Sequence, residues 1–444
     1  MEKEPRKVLE NIYAEKEYMD KRVSEGIEKN RKGDIKIRIT GNGKPLSGTK
    51  IKVTQTTHDF HYGANIFMLD QFENEEKNKL YRKYFGESFN IATLPFYWND
   101  LEPEPGKLRF SKDSENIYRR PNIELCMEYC RENNIEPKVH CLNYSNFYPN
   151  WVPKDDVKEE KRLLEKRFKE LSEVYGDQIR LWEVTNETYW CSNLYKRPAF
   201  YSEDNFVEWS FQKADKYFQR NSLMINEAAM VWDWGGCNRN PYYMQIERAL
   251  KNGCRIDEIG IQFHMFYRRE AELAKTKSYY NPRNILGVLD KFAEFKKPVQ
   301  ITEITFPAYS ESSEDEEIQA EILKNVYSMW FSHEAVSGII YWNLVDGYAA
   351  YAPQGDMTAG ENYYYGGLFR FDFTPKPAYF MLRDLFENKW RTREVLTSDE
   401  NGEIALRGFY GSYELEAEID GKVYSVSVHH KKGEKSEFEI CADE

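Results

Sequence analysis

The sequence is poor in the features that mark several large classes of protein. No run of roughly 18 or more apolar residues occurs, so no segment is long enough to cross a bilayer as a helix. The first residues, MEKEPRKVLENIYAEKEY, contain no apolar signal core, and a cytoplasmic protein is expected unless a leader was removed. Basic charge is in deficit, with 62 Lys and Arg against 74 Asp and Glu and a net charge of −12, which argues against nucleic acid as a partner. The seven cysteines (Cys126, Cys130, Cys141, Cys191, Cys237, Cys254 and Cys441) include no CxxC pair, and no HExxH occurs. Free thiols and no zinc site are therefore expected.

Aromatic residues are abundant at 15%, with 32 Tyr and 10 Trp. Flat rings with polar edges suit sugar sites, although they serve equally well in cores. Residues 1–34 are dense in charge, with Val8, Ile12, Met19, Val23 and Ile27 near one face, and this spacing predicts one long amphipathic helix packed on the body of the protein. Residues 35–57 then alternate: Ile35, Ile37 and Ile39 precede a GNGKPL turn, and Ile51 and Val53 follow, so a β-hairpin is expected. Residues 391–444 also alternate, around DENG and DG turns. Neither fragment can bury a core alone, so the two ends are expected to pair into one small β-sandwich around an inserted domain. The pattern GxPLxG with DENGEI and GxYEL resembles transthyretin-like sandwiches.

Residues 58–390 alternate strand-like runs with helical ones. The runs are His61–Ile66, Phe89–Pro95, Pro137–Leu142, Ile179–Asn186, Leu223–Asn226, Ile259–His264, Val299–Thr305 and Gly338–Asn343. No Gly-rich phosphate loop follows any of them, which disfavours a doubly wound open sheet. The fold class expected is α/β, a (β/α)8 TIM barrel with the small β-sandwich attached. Functional residues of a barrel gather at the carboxyl ends of its strands. Those ends supply His140, Asn186-Glu187, Asn226-Glu227, Gln262 with His264, Glu303, and Trp342 with Asp346. Two carboxylates facing one mouth, with an imidazole to orient one of them, fit glycoside hydrolysis, where one carboxyl protonates the leaving oxygen and its ionised partner attacks the anomeric carbon. No metal or organic cofactor is needed for that chemistry.

The motifs carry a resemblance in chain order. WEVTNE resembles the WDVVNE-type acid/base motif of the glycoside hydrolase family 10 endo-xylanases, and QITEI their nucleophile motif. IDEIGIQFHM is similar to their IDGIGLQSHL strand, LMINEA to their Asn-containing fifth strand, WNDLEPEPGKLRF to WxxxEPxxGxF, and PKPAY after GGLFRFD to their terminal segment. RKGDIKIRI and ALRGFYGSYELEAEIDG look most like a divergent plant-type branch. The resemblance implies Glu187 as general acid/base and Glu303 as nucleophile. Asn186 and Gln262 would meet the sugar, His264 would hydrogen-bond Glu303, Trp342 would floor the site, and His140 and Asn226 would be further substrate contacts. Asn143 and Tyr97 are candidate sugar contacts.

Departures from the family pattern are concentrated on neighbouring strands. The family's Lys before WxxxEP is absent from Leu94-Pro95-Phe96-Tyr97-Trp98, the second His of HxLVWH is Ser145, and the late SW pair is lost, leaving Tyr348 or Tyr351 in its place. The substrate implied is a β-linked oligo- or polysaccharide, with β-1,4-xylan or its oligosaccharides first. The rivals are another β-glycoside or a carbohydrate-binding barrel without turnover. Neither a nucleic acid nor a membrane is implied as a partner.

Overall fold

The computed structural model describes residues 5–189 and 197–442, so Cys191 lies outside the described residues. Eight strands close into a barrel: β1 (His61–Asn65), β2 (Ile91–Pro95), β3 (Glu136–His140), β4 (Leu181–Asn186), β5 (Ser222–Glu227), β6 (Glu258–His264), β7 (Val299–Thr305) and β8 (Val336–Tyr341). Every neighbouring pair is parallel, and β8 returns to pair with β1. A closed parallel sheet covered by helices buries both faces of its strands, so they read as near-continuous apolar runs. IATLP, LWEVTN and VQITEIT are accordingly buried at every position. Ile91, Leu181, Met224 and Ile340 make a separate buried cluster from four strands inside the barrel.

The covering helices begin where their sequences provide caps. The Asn74 side chain accepts from Lys77 N at the start of Glu75–Ser88, and Asp156 does the same for Val157–Tyr175. Asn240-Pro241 and Asn281-Pro282 combine a capping amide with proline in the first turn. These connections set all eight carboxyl strand ends on one face, where His140, Asn186, Glu227, His264 and Thr305 are the last residues of their strands.

The expected single helix at the amino end is broken. A 3₁₀ turn (Pro5–Leu9) and a short helix (Glu10–Tyr13) precede the main helix, Lys16–Asn30, and a strand begins already at Lys32. The break lets Val8, Leu9, Ile12 and Met19 all be buried against the barrel. Gly26 lets the main helix lie close against the end of helix Ser313–Ser332, since a Cβ there would stand 2.6 Å from the Ser332 carbonyl oxygen.

The β-sandwich forms from both chain ends, but its strands pair differently from the expected hairpin. Lys32–Gly41 lies between Glu403–Phe409 and Ser436–Cys441 in one sheet, and Lys50–Gln55 lies between Arg393–Thr397 and Gly411–Ile419 in the other, with Lys422–His430 at the edge. Lys32–Gly41 folds back only on the two residues Lys44–Pro45 before the chain crosses between sheets. Facing burial explains the choice. Ile35, Ile37 and Ile39 meet Ile51, Val53, Leu415 and Ala417 across a shared core, which a flat hairpin could not enclose. The sandwich covers the amino end of the barrel: Phe409 packs on Phe331 and His58, and Arg391 donates to the Thr56 carbonyl oxygen and the Tyr62 hydroxyl.

Candidate active site

The carboxyl face opens into a cavity of about 470 Å³ whose walls include Glu187, Glu303, Asn186, Gln262, His264 and Trp342. His140 and Tyr97 also line it. One amide ties the two carboxylates together. Gln262 Nε2 lies 3.1 Å from Glu187 Oε1 and 3.0 Å from Glu303 Oε1, so these oxygens can be no further apart than the two bonds laid end to end.

Glu303 is held on every side. Its Oε1 accepts from Gln262 and, at 3.3 Å, from Asn226 Nδ2, while Oε2 pairs with His264 Nε2 at 3.2 Å. Burial raises its carboxyl to about 8, opposed by His140 and reinforced by Glu183 and Glu187. His264 Nδ1 meets Thr305 Oγ1 at 3.0 Å, a neutral partner, and burial depresses the ring to about 4. His264 is therefore a neutral brace at physiological pH. Its ring stacks on Phe266 and meets Trp342 edge to face.

Glu187 follows the last residue of β4 in the left-handed backbone region, at φ 50°. Tyr144 Oη donates to its Oε2 at 2.6 Å, and Asn146 in turn donates to Tyr144. The loop beyond it is clamped by Glu227, which accepts from Tyr189 N at 2.8 Å and Thr188 Oγ1 at 3.2 Å. Burial pushes Glu227 up to about 7. Sequence reasoning noticed Glu227 at a strand end but gave it no role. It also missed Tyr144, which stands at the tryptophan position of the family motif.

Two of the expected sugar contacts lie off the cavity wall. Asn143 is buried behind it, donating to Ser210 Oγ at 3.0 Å and accepting from Tyr148 and Tyr201, so its amide is fully engaged by packing. Asn226 is a fully buried brace: its Nδ2 reaches Asn186 Oδ1 at 2.9 Å as well as Glu303 and Glu183, and its Oδ1 accepts from Thr302 at 2.6 Å. Tyr97 stacks on Phe147, and the Arg120 guanidinium lies beside the pair, 4.2 Å from the Tyr97 ring centre and 5.5 Å from that of Phe147. Tyr348 is buried against Glu73 and Lys77, whereas Tyr351, 88% exposed, stands at the cavity mouth.

Beneath Glu303 lies a charged cluster that no local pattern announced. Lys138 Nζ is 3.0 Å from Glu183 Oε2, and His140 Nδ1 is 2.7 Å from Glu183 Oε1, all three residues being within 1% exposure. Burial works to raise Glu183, but His140 and Lys138 outweigh it and hold the carboxyl low. Burial likewise works against charge on His140, and Glu183 with Glu303 reverses the direction. His140 Nδ1 is 3.9 Å from Glu303, so the cluster presents positive charge to that carboxyl. Ligand atoms of His140, Cys141 and Glu183 lie close enough to share an ion, yet Lys138 already occupies Glu183.

Removing one partner of a buried ion pair leaves the other uncompensated, which costs about 3–5 kcal/mol. Lys138→Met is expected to lose that much stability in a urea titration with an unchanged slope. A loss under about 1 kcal/mol would show that His140 alone satisfies Glu183.

The model for "Glycosyl hydrolase family 10" matches residues 66–385. Over 422 residues the chain is 23% identical to Anti-sigma-I factor RsgI6 of Acetivibrio thermocellus, covering 92% of this chain and 48% of that protein. It thus spans about half the length of that relative. It is 24% identical over 344 residues to endo-1,4-beta-xylanase B of Thermotoga neapolitana, covering 75% of this chain and 89% of that one. The solved xylanase 10B of Thermotoga petrophila in complex with xylobiose superposes with a TM-score of 0.57 at 21% identity, covering 74% of this chain and 95% of its own, a likeness of fold.

Proposed function

We propose that this chain, which belongs to glycosyl hydrolase family 10, cleaves β-1,4-xylosidic linkages by double displacement with retention. The observation that carries the reading is the shared amide: Gln262 touches both carboxylates, which supports the short separation of retaining enzymes, about 5–5.5 Å, over the 6.5–9.5 Å that makes room for an inverting water. Glu303 attacks the anomeric carbon while Glu187 gives its proton to the departing oxygen. Glu187 then takes a proton from water, which releases the sugar from Glu303. Glu303 must be ionised to attack. Burial holds its carboxyl up at about 8, so the charged form is the minority at neutral pH, and His140 beside it draws it toward that form. The Tyr144 hydroxyl orients Glu187.

A second reading is sugar binding without turnover, favoured by the likeness to a protein named as an anti-sigma factor. The paired carboxylates weigh against it, because recognition of neutral hydroxyls does not require two acids around one amide. Incubation with β-linked xylo-, gluco- and manno-oligosaccharides, followed by NMR of the fresh products, tests both readings. Release of β-anomers from xylo-oligosaccharides is expected. Fresh α-anomers would sink the double displacement, and binding without release would favour the second reading. Among the described residues no helix is long and apolar enough to cross a membrane.

A further inference from the structure

The cavity wall carries an arginine that the hydrolytic mechanism does not use. Arg119 comes from the long connection after β2, is 3% exposed, and lines the cavity beside Phe67, whose ring lies 5.9 Å from its guanidinium carbon. Nη1 donates to the Tyr348 carbonyl oxygen and Nη2 to Asn343 Oδ1 at 2.8 Å, both neutral acceptors. Nε is buried with no acceptor. No carboxylate pairs with Arg119 among the described residues. Its neighbour Arg120, on the same wall, is neutralised by Asp100 at 2.6 Å and lies 4.2 Å over Tyr97. The two arginines thus differ in kind: one is a satisfied brace and the other a buried cation with a free donor.

A buried charge without a counter-ion is expensive and is normally paired. Here the chain also adopts the left-handed backbone at Arg119, φ 61°, to place it. Asn343 links Arg119 to Glu361, donating to Glu361 Oε2 at 2.7 Å, so that carboxylate fixes the amide without touching the guanidinium. Arg119 lies on the Phe67 and Trp342 side of the cavity, where those two rings meet at 5.4 Å. Guanidinium groups favour planar carboxylates, which neutralise their charge as well as accept their hydrogens.

We propose that Arg119 is a specificity residue for a carboxylate-bearing sugar, so that the substrate is a β-linked oligosaccharide carrying a uronosyl unit on the Phe67–Trp342 side of the scissile bond. This rests on reading the cavity as a glycoside site. A neutral pentose leaves the buried charge as it stands. A uronate carboxylate on that wall supplies the missing counter-charge.

Calorimetry on the full chain carrying Glu303→Gln, with three matched ligands, tests the inference without turnover: a neutral xylo-oligosaccharide, the same chain bearing a glucuronosyl unit, and its carboxyl-reduced counterpart. The uronate is expected to bind at least 10-fold more tightly than the reduced ligand, with an advantage that shrinks in high salt. Adding Arg119→Gln should bring that ratio close to one, and Arg119→Lys should retain part of it. Equal binding of the uronate and its reduced form would overturn the assignment while leaving the glycoside reading intact, and this comparison needs no change at Arg119. A uronate preference that survives Arg119→Gln would overturn it too. Failure of all three sugars to bind would overturn the glycoside reading and this inference with it.

Discussion

Glu303→Gln is expected to reduce hydrolysis by on the order of 10⁴-fold or more, each factor of ten being about 1.36 kcal/mol of lost transition-state stabilisation. Glutamine has nearly the same shape, so it can still meet Gln262, Asn226 and His264, and only the attacking charge is lost. The same substitution should stabilise the fold, and the sign can be worked out. Burial first, with Glu183 and Glu187, raises the Glu303 carboxyl to about 8, above its unfolded value. Between the unfolded and folded values the native state binds more protons than the unfolded chain, so wild-type stability falls as pH rises through this window. A neutral amide escapes that loss. Melting temperatures of Glu303→Gln should therefore exceed wild type by a margin that widens up to about pH 8 and is constant beyond. Activity within tenfold of wild type would remove Glu303 from the mechanism. A wild type that melts higher throughout would show that Glu303 carries no buried-charge strain.

What the sequence could reveal divides along the range of the interactions. The barrel strands were legible because a strand buried on both faces needs an apolar run; Glu187 directly follows β4, and Glu303 lies inside β7 near its carboxyl end, which is Thr305. That these two carboxylates would meet at one mouth was legible for the same reason, each having its own strand to announce it. The brace beneath was not. Lys138 and Glu183 sit inside strands, where a charge in an apolar run looks like an interruption, and only the barrel's closure brings β3 beside β4. Arg119 and Arg120 were lost in a polar loop, since nothing local separates a solvated arginine from one turned into a cavity. The hairpin error has a related cause. Alternation fixes which side chains of 32–41 and 50–55 point inward, but partner choice is settled by strands more than 300 residues away. Asn143 misled in another way, because its place in a motif gave no hint that Ser210, Tyr148 and Tyr201 consume its amide.

Glu187→Ala is expected to show an effect that depends on the leaving group, which distinguishes an acid/base from a residue that merely shapes the site. A sugar alcohol leaves poorly without a proton, so xylo-oligosaccharide cleavage should fall roughly 10²–10⁴-fold, the usual contribution of a positioned general acid. An aryl glycoside with an acidic phenol leaves unaided, so Glu303 should still be glycosylated. The second step then lacks its base and limits the rate, producing a burst of phenol and a low KM. Added azide should restore turnover, because a small anion can enter the space left by the carboxylate between Tyr144 and Gln262 and needs no deprotonation. The product should be the β-glycosyl azide, retention arising from two successive inversions at the same carbon. Tyr144→Phe supplies the graded comparison: it removes the 2.6 Å hydrogen bond to Glu187 but keeps the carboxyl, so oligosaccharide cleavage should weaken without any azide response. Equal losses on both substrate types in Glu187→Ala, with no azide product, would assign Glu187 to binding and leave the proton donor to be sought elsewhere on the same wall.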